Sequence, residues 1–224
     1  MPPGYSNLSE RPPGRFLSLA ARLLPGVRAV QDQVLPYAAA WRDHNAAALA
    51  ATGPLWVALG DSMTQGIGAG AYERGWVGQV AARMPGWRVV NLAISGGIVR
   101  DVLDRQLPAL DALAAPPDLL TVMIGSNDMF NPRHRPHLAA DLAELLERLP
   151  PGTVVGNQPG TFAPALEINR LIDDAVARRG LVLAEFRDPR TRTWRGKLAA
   201  DHFHPNERGY ASMAAIMEEA IRRR

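Results

Sequence analysis

Leu55-Trp-Val-Ala-Leu-Gly60-Asp61-Ser62-Met63-Thr64-Gln65-Gly66 is the stretch on which the reading of this chain turns. Leu55 to Leu59 is a short apolar run, with Gly53-Pro54 before it and Gly60 after it. That length and those boundaries suit a strand buried on both faces better than a helix. The run leads straight into Gly60-Asp61-Ser62 and then a loop carrying Gly66, Gly68 and Gly70. Open α/β sheets place their chemistry at the carboxyl ends of strands, so the Ser62 hydroxyl is a candidate nucleophile. Taken alone the tripeptide is a weak signal, because turns favour all three residue types.

Outward from this stretch, apolar runs alternate with amphipathic ones. Gly75 to Met84 reads as helix, Trp87 to Leu92 as strand, and Val99 to Leu113 as helix broken at Pro108. Leu119 to Ile124 is a third strand, followed by a helix over His137 to Leu149. A short strand over Thr153 to Gly156 precedes a helix over Pro164 to Arg178. Leu181 to Ala184 is the fifth strand, and Asn206 to Ile221 closes the chain as helix. Such alternation implies a parallel sheet with helices on both faces.

Upstream, Pro2-Pro3-Gly4 and Pro12-Pro13-Gly14 mark residues 1–14 as a mobile tail whose removal should be nearly silent. Residues 15–51 read as a helical segment covering an edge or face of the main domain, which occupies residues 52–224. Arg15 to Leu24 is a short amphipathic helix. From Val27, apolar positions including Val34, Tyr37 and Trp41 recur at helical spacing, with a break expected at Pro36.

Composition narrows the function. The chain has 224 residues and no cysteine, which excludes disulfides, thiolate metal sites and a cysteine nucleophile. No apolar run approaches bilayer length, and no signal-peptide pattern is visible, so a cytoplasmic protein is expected. The net charge is +3, and Lys197 is the only lysine among 25 basic residues. The arginines are dispersed, as on a solvated surface, which argues against a nucleic-acid partner.

Four segments carry polar residues where this architecture puts loops. They are Gly60-Asp61-Ser62, Asn91 to Gly97, Gly125-Ser126-Asn127-Asp128, and Asp201-His202-Phe203-His204-Pro205-Asn206. Together they supply what acyl transfer requires. A serine hydroxyl needs a base, and the imidazole of His204 can be one. Asp201, three residues earlier, can reach the other ring nitrogen and fix its tautomer. The tetrahedral intermediate needs preorganised donors, and the candidates are the Ser62 N–H, the Gly96 N–H and the Asn127 side-chain amide.

In these blocks the sequence resembles the SGNH (GDSL-type) hydrolases, over Leu55 to about Met217 and in the family's block order. Met63 stands where the name motif has leucine, and Gly97 where relatives often carry a polar residue. The resemblance implies a three-layer α/β/α fold around a parallel five-stranded sheet of flavodoxin-like strand order. It also implies serine-dependent hydrolysis of carboxylic esters without cofactor or metal. The family spacing selects His204 over His202 as the base. Asp61 and Asp128 read as acceptors that tie down their loops, and Arg133, His134, Arg135 and His137 as a polar surface loop.

No long lid insertion interrupts the blocks, which points to short or exposed acyl groups on a small-molecule ester. An acyltransferase built on the same acyl-enzyme is not separable from a hydrolase by sequence. A metal-dependent phosphoesterase using Asp61, Asp128, Asp201 and His204 would leave serine and the oxyanion donors without a role. The Gly-x-Ser-x-Gly elbow and the phosphate-cradling Gly-Lys-Ser/Thr are both absent.

Overall fold

A computed structural model of the chain describes residues 4–11 and 21–224. Five strands, β1 (Leu55–Gly60), β2 (Arg88–Asn91), β3 (Leu119–Met123), β4 (Val154–Gly156) and β5 (Val182–Ala184), form one sheet in the order β2-β1-β3-β4-β5. Every neighbouring pair is parallel, with Val57 of β1 opposite Val90 of β2 and Leu120 of β3. This is the flavodoxin-like order, and its switch point lies between β1 and β3.

The helices are α1 (Pro25–Gln31), α2 (Val34–Ala50), α3 (Ser62–Gln65), α4 (Trp76–Ala81), α5 (Val99–Asp101), α6 (Leu107–Asp111), α7 (Ser126–Phe130), α8 (Arg135–Arg148), α9 (Ala163–Arg179), α10 (Pro189–Arg192) and α11 (Glu207–Arg222). They sandwich the sheet. All six residues of β1 are buried, and they alternate between layers as the pleat requires. Leu55, Val57 and Leu59 join the core built by α8 and α9, through Leu142, Leu145 and Ile172. Trp56 and Ala58 face the core built by α4 and α11, through Trp76, Tyr210 and Met217. A continuous apolar strand is what two covered faces demand.

Two helix breaks fall elsewhere than the prolines suggest. Between α5 and α6 the chain does not break at Pro108. It passes through a π-helical Val102–Gln106, in which the Leu107 N–H reaches back to the Val102 carbonyl, and Pro108 enters in the first turn of α6. A first-turn proline forgoes no intrahelical bond. For the same reason Pro36 sits inside the first turn of α2, and the break lies upstream between Gln31 and Val34.

β2 is an edge strand, and the N-terminal segment closes that edge. Asn45 of α2 accepts from the Asn91 backbone N–H at 2.8 Å and donates to its carbonyl at 2.8 Å, completing a ladder position with a side-chain amide. Replacing Asn45 with alanine would orphan the buried Asn91 N–H at about 1–3 kcal/mol, while the Asn91 carbonyl keeps its bond from Asn7. Trp41 and Tyr37 are buried against the loop that follows α3, through bonds to the Gln65 and Ala69 carbonyls.

Residues 5–11 differ from the expected mobile tail. Leu8 pairs in parallel with Ser95. Asn7 donates to the Asn91 and Ala93 carbonyls at 2.9 and 2.8 Å, and Arg11 forms an ion pair with Asp101. Polar side chains of this segment satisfy carbonyls of the edge, and residues 1–3 and 12–14 of the expected tail lie outside the described residues. The short helix expected over 15–24 lies, in residues 15–20, outside the described residues. No described helix is long and apolar enough to cross a membrane.

Candidate active site

The carboxyl ends of β1, β2 and β3 and the loop before α11 meet at the switch point. Gly60 ends β1 at φ +155°, a conformation closed to other residues, and an added Cβ there would strike Thr64 Oγ1 and the Met123 carbonyl. Its backbone N–H and carbonyl are both held by the Gln106 side-chain amide, at 2.9 and 2.8 Å. Asp61 then caps α3, accepting from the Met63 N–H at 2.9 Å. Ser62 is therefore the first residue of a helix, where the backbone N–H has no intrahelical acceptor.

Ser62 Oγ lies 2.9 Å from His204 Nε2, and His204 Nδ1 lies 2.5 Å from Asp201 Oδ2. The turn that makes this relay is local. Asp201 Oδ1 accepts from the backbone N–H groups of Phe203 and His204, each at 3.0 Å, and His202 takes a left-handed conformation, φ 57°, between them. The Ala199 N–H donates to the His204 carbonyl, and Asn206 caps α11 just beyond. Burial alone would raise the Asp201 carboxyl. The His204 hydrogen bond and charge, with the two backbone donors, hold it below its ordinary value.

The second block forms a tight turn. The Gly97 N–H donates to the Ile94 carbonyl at 2.8 Å, with Gly96 at φ +71° in the third position. Positive φ there selects glycine and stands the Ser95–Gly96 peptide across the turn. Asn127 Nδ2 donates to the Gly97 carbonyl at 2.8 Å, so the turn and the third block are joined. The amide has two hydrogens, and this bond uses one of them.

The other carboxylates are engaged as tethers. Asp61 Oδ2 accepts from Ser126 Oγ at 2.7 Å, linking the Ser62 turn to the loop of Asn127. Burial raises its carboxyl, against the bonds from Ser126 and Met63. Asp128 accepts the Val99 N–H at 3.2 and 3.3 Å, and burial lifts its carboxyl to about 7. Ser62, Asp201, His204, Gly96 and Asn127 thus converge on one edge of the sheet, and His204, not His202, is the histidine bonded to Ser62.

Sequence reasoning missed several residues of this region. Ser126 was visible only as the variable position of its block, and Gln106 carries no signal inside an amphipathic helix. A cleft of about 310 Å³ also opens beside the relay. Met63, Met123 and Met213 line its floor, and Phe130, Phe162 and Phe203 its walls. Phe130 stacks on Phe162 at 5.5 Å between ring centroids and meets Phe203 edge-on at 5.8 Å. Arg135 donates to the Met129 carbonyl at 2.8 Å, at the cleft's margin.

A doubly wound three-layer α/β/α fold, with these four loops at its switch point, defines the structural class of the SGNH hydrolases. Residues 58–212 match the GDSL-like Lipase/Acylhydrolase family, and the chain belongs to that family of carboxylic ester hydrolases. Among solved structures it is similar to TesA, at 22% identity over 75% of this chain and 98% of the other, with a TM-score of 0.64. It is also similar to a single-residue variant of Axe2, an acetyl xylan esterase from Geobacillus stearothermophilus, at 22% identity over 76% and 95% of the two chains, TM-score 0.59. The salicylyl-acyltransferase SsfX3 from a tetracycline biosynthetic pathway is 17% identical over 77% of this chain and 56% of the other, TM-score 0.54. No curated protein matches by sequence.

Proposed function

We propose that this protein hydrolyses carboxylic esters through an acyl-enzyme on Ser62. The observation that carries the reading is the continuous Ser62–His204–Asp201 relay, at 2.9 and 2.5 Å. Ser62 Oγ attacks the carbonyl carbon and its proton passes to His204 Nε2. The oxyanion that forms is met by the Ser62 and Gly96 N–H groups and by the second hydrogen of Asn127 Nδ2. Collapse expels the alcohol, which leaves with the proton from His204. Water then repeats the sequence on the acyl-enzyme. Asp201 keeps the Nδ1 proton in place and stabilises the imidazolium.

The apolar cleft is the acyl site in this reading. Its volume exceeds what an acetyl group fills, since a water-sized group occupies roughly 30 Å³. Acyl chains of several methylenes, or an aryl acyl group, match the methionine floor and phenylalanine walls. This reading departs from the sequence expectation of short or exposed acyl groups. The carboxylates that a metal-dependent phosphoesterase would use already have donors of the protein itself: Met63 N and Ser126 for Asp61, Val99 N for Asp128, and His204 for Asp201.

The test is hydrolysis of aryl esters from acetyl to decanoyl by wild type, Ser62→Ala and His204→Ala, with and without acceptor alcohols. Either substitution should cost on the order of 10⁴–10⁶ in kcat with the fold intact. A folded Ser62→Ala variant with full activity would end the serine mechanism. Transfer to an added alcohol faster than release to water would make the protein an acyltransferase instead.

A further inference from the structure

The N-terminal segment makes its polar contacts on the turn that presents Gly96. One flank of that turn is tied to β1, through the Ile94 N–H on the Gly60 carbonyl at 3.1 Å. The other flank is tied to residues far away in sequence. The Ser95 N–H donates to the Asn7 carbonyl at 3.2 Å, and the Asn7 side chain holds the Asn91 and Ala93 carbonyls. Gln65, in the helix that Ser62 begins, donates to the Asn7 carbonyl at 2.6 Å.

Arg11 completes the clamp. Its guanidinium forks onto both oxygens of Asp101 and also donates to the Gly96 carbonyl at 3.2 Å. Asp101 in turn accepts the Ile98 N–H at 2.8 Å, on the far side of the same turn. A planar fork can hold two acceptors in fixed directions, which an ammonium cannot.

The turn needs such support. Gly96-Gly97 is the most freely rotating dipeptide a chain can contain. An oxyanion donor is useful only if its direction is fixed before charge develops. The carbonyls of Asn91, Ala93 and Gly96 and the N–H of Ser95 are all held from residues 7–11, so that segment fixes the path of the backbone on both sides of the Gly96 N–H. The Arg11 side chain is 39% exposed, and its guanidinium bonds go to Asp101 and to the Gly96 carbonyl.

We propose that Arg11 is a positioning residue for the Gly96 oxyanion donor, acting through its fork on Asp101 and the Gly96 carbonyl, with Asn7 holding the preceding peptides. The segment 7–11 is then a working part of the active site. This rests on the acyl-enzyme reading, in which Gly96 is a donor.

The experiment compares full-length wild type, Arg11→Ala and Arg11→Lys on an aryl ester and with an alkyl phosphonate that traps Ser62. Arg11→Ala should lower kcat about tenfold, a fraction of the roughly 10²–10³ lost with a whole donor, and leave KM within about twofold. Arg11→Lys should lie between, because it keeps the charge and loses the fork. In the phosphonate adduct of wild type, the ¹H–¹⁵N signal of Gly96 should move downfield on bonding to the phosphonyl oxygen. In Arg11→Ala that displacement should shrink.

A wild-type kcat in folded Arg11→Ala, or an unchanged Gly96 displacement, would overturn the proposal. So would a raised KM at unchanged kcat, which would make Arg11 a substrate-binding residue. If Arg11→Ala does not fold, Arg11→Lys carries the same comparison, and full activity with an unchanged Gly96 signal is again fatal. Wild type that the phosphonate does not label at Ser62 would instead sink the acyl-enzyme reading.

Discussion

Around β1 and β2 polar side chains hold the backbone that carries Ser62 and Gly96, whereas beyond β3 to β5, where Gln158 and Asn169 also hold the loop backbone, a cleft lined by methionine and phenylalanine opens. In the first region Gln106, Asn45, Asn7, Asp61 and Arg11 each hold a backbone group of the strands and loops carrying Ser62 and Gly96. In the second, Phe130 meets Phe162 and Phe203, Phe203 also packs edge-on against the His204 ring at 5.0 Å, and more than a third of the surface of each phenylalanine is open to solvent. The contrast divides the labour. On the proposed function, directional bonds fix the oxyanion donors, while the flexible methionines of the cleft accommodate a range of acyl shapes. Changes in the first half should therefore act on kcat, and changes in the second on which ester is chosen.

Asn127→Ala, where the loop after β3 meets the Gly96 turn, breaks the comparison hardest, since it removes a proposed oxyanion donor and the tie to Gly97 together. Its kcat should fall about 10²–10³-fold with KM little altered. Steady-state kinetics on one activated ester check this, and a raised KM with normal kcat would move Asn127 out of the oxyanion site. Phe162→Ala acts on the other half. It should lower kcat/KM about tenfold for octanoyl esters, as expected for a few lost apolar contacts, and leave acetyl esters unchanged. An equal loss on both esters would mean that the wall supports the chemistry rather than the choice of substrate.

The smallest effect concerns stability. Asp128 has a folded pKa of about 7, above its ordinary carboxyl value, because burial disfavours the charge. Its contribution to stability is therefore present in full below about pH 4 and is lost as pH rises through about 7. Asp128→Asn, which keeps an acceptor for the Val99 N–H, should remove that dependence. Thermal melts from pH 5 to 9 should show wild type losing a few degrees relative to the variant as pH rises. Parallel curves would contradict the assignment.

The fold and the relay were legible in sequence because their causes are local. Leu55 to Leu59 is apolar throughout, as two covered faces require, and the Asp201-x-x-His204 spacing lets one turn join carboxylate and ring. Asn91 to Gly97 and Gly125 to Asp128 follow strands directly, so the ends of parallel strands had to bring them together. What was not legible depends on partners distant in the chain. Nothing in Tyr5 to Arg11 shows that β2 is an edge with free carbonyls, so Pro-Gly composition read as a loose tail. Pro108 and Pro36 read as breaks because the first-turn exemption depends on where each helix begins. Phe130, Phe162 and Phe203 come from three separate segments, and no periodicity joins them.

The central claim, that Ser62 is the nucleophile of the polar half, is tested most directly by trapping it. Wild type treated with a stoichiometric nitrophenyl alkylphosphonate should gain the mass of one phosphonyl group, and peptide mapping should put it on Ser62. His204→Ala should label far more slowly, and Ser62→Ala not at all. An adduct on another residue, or a Ser62→Ala protein labelled as fast as wild type, would contradict the account.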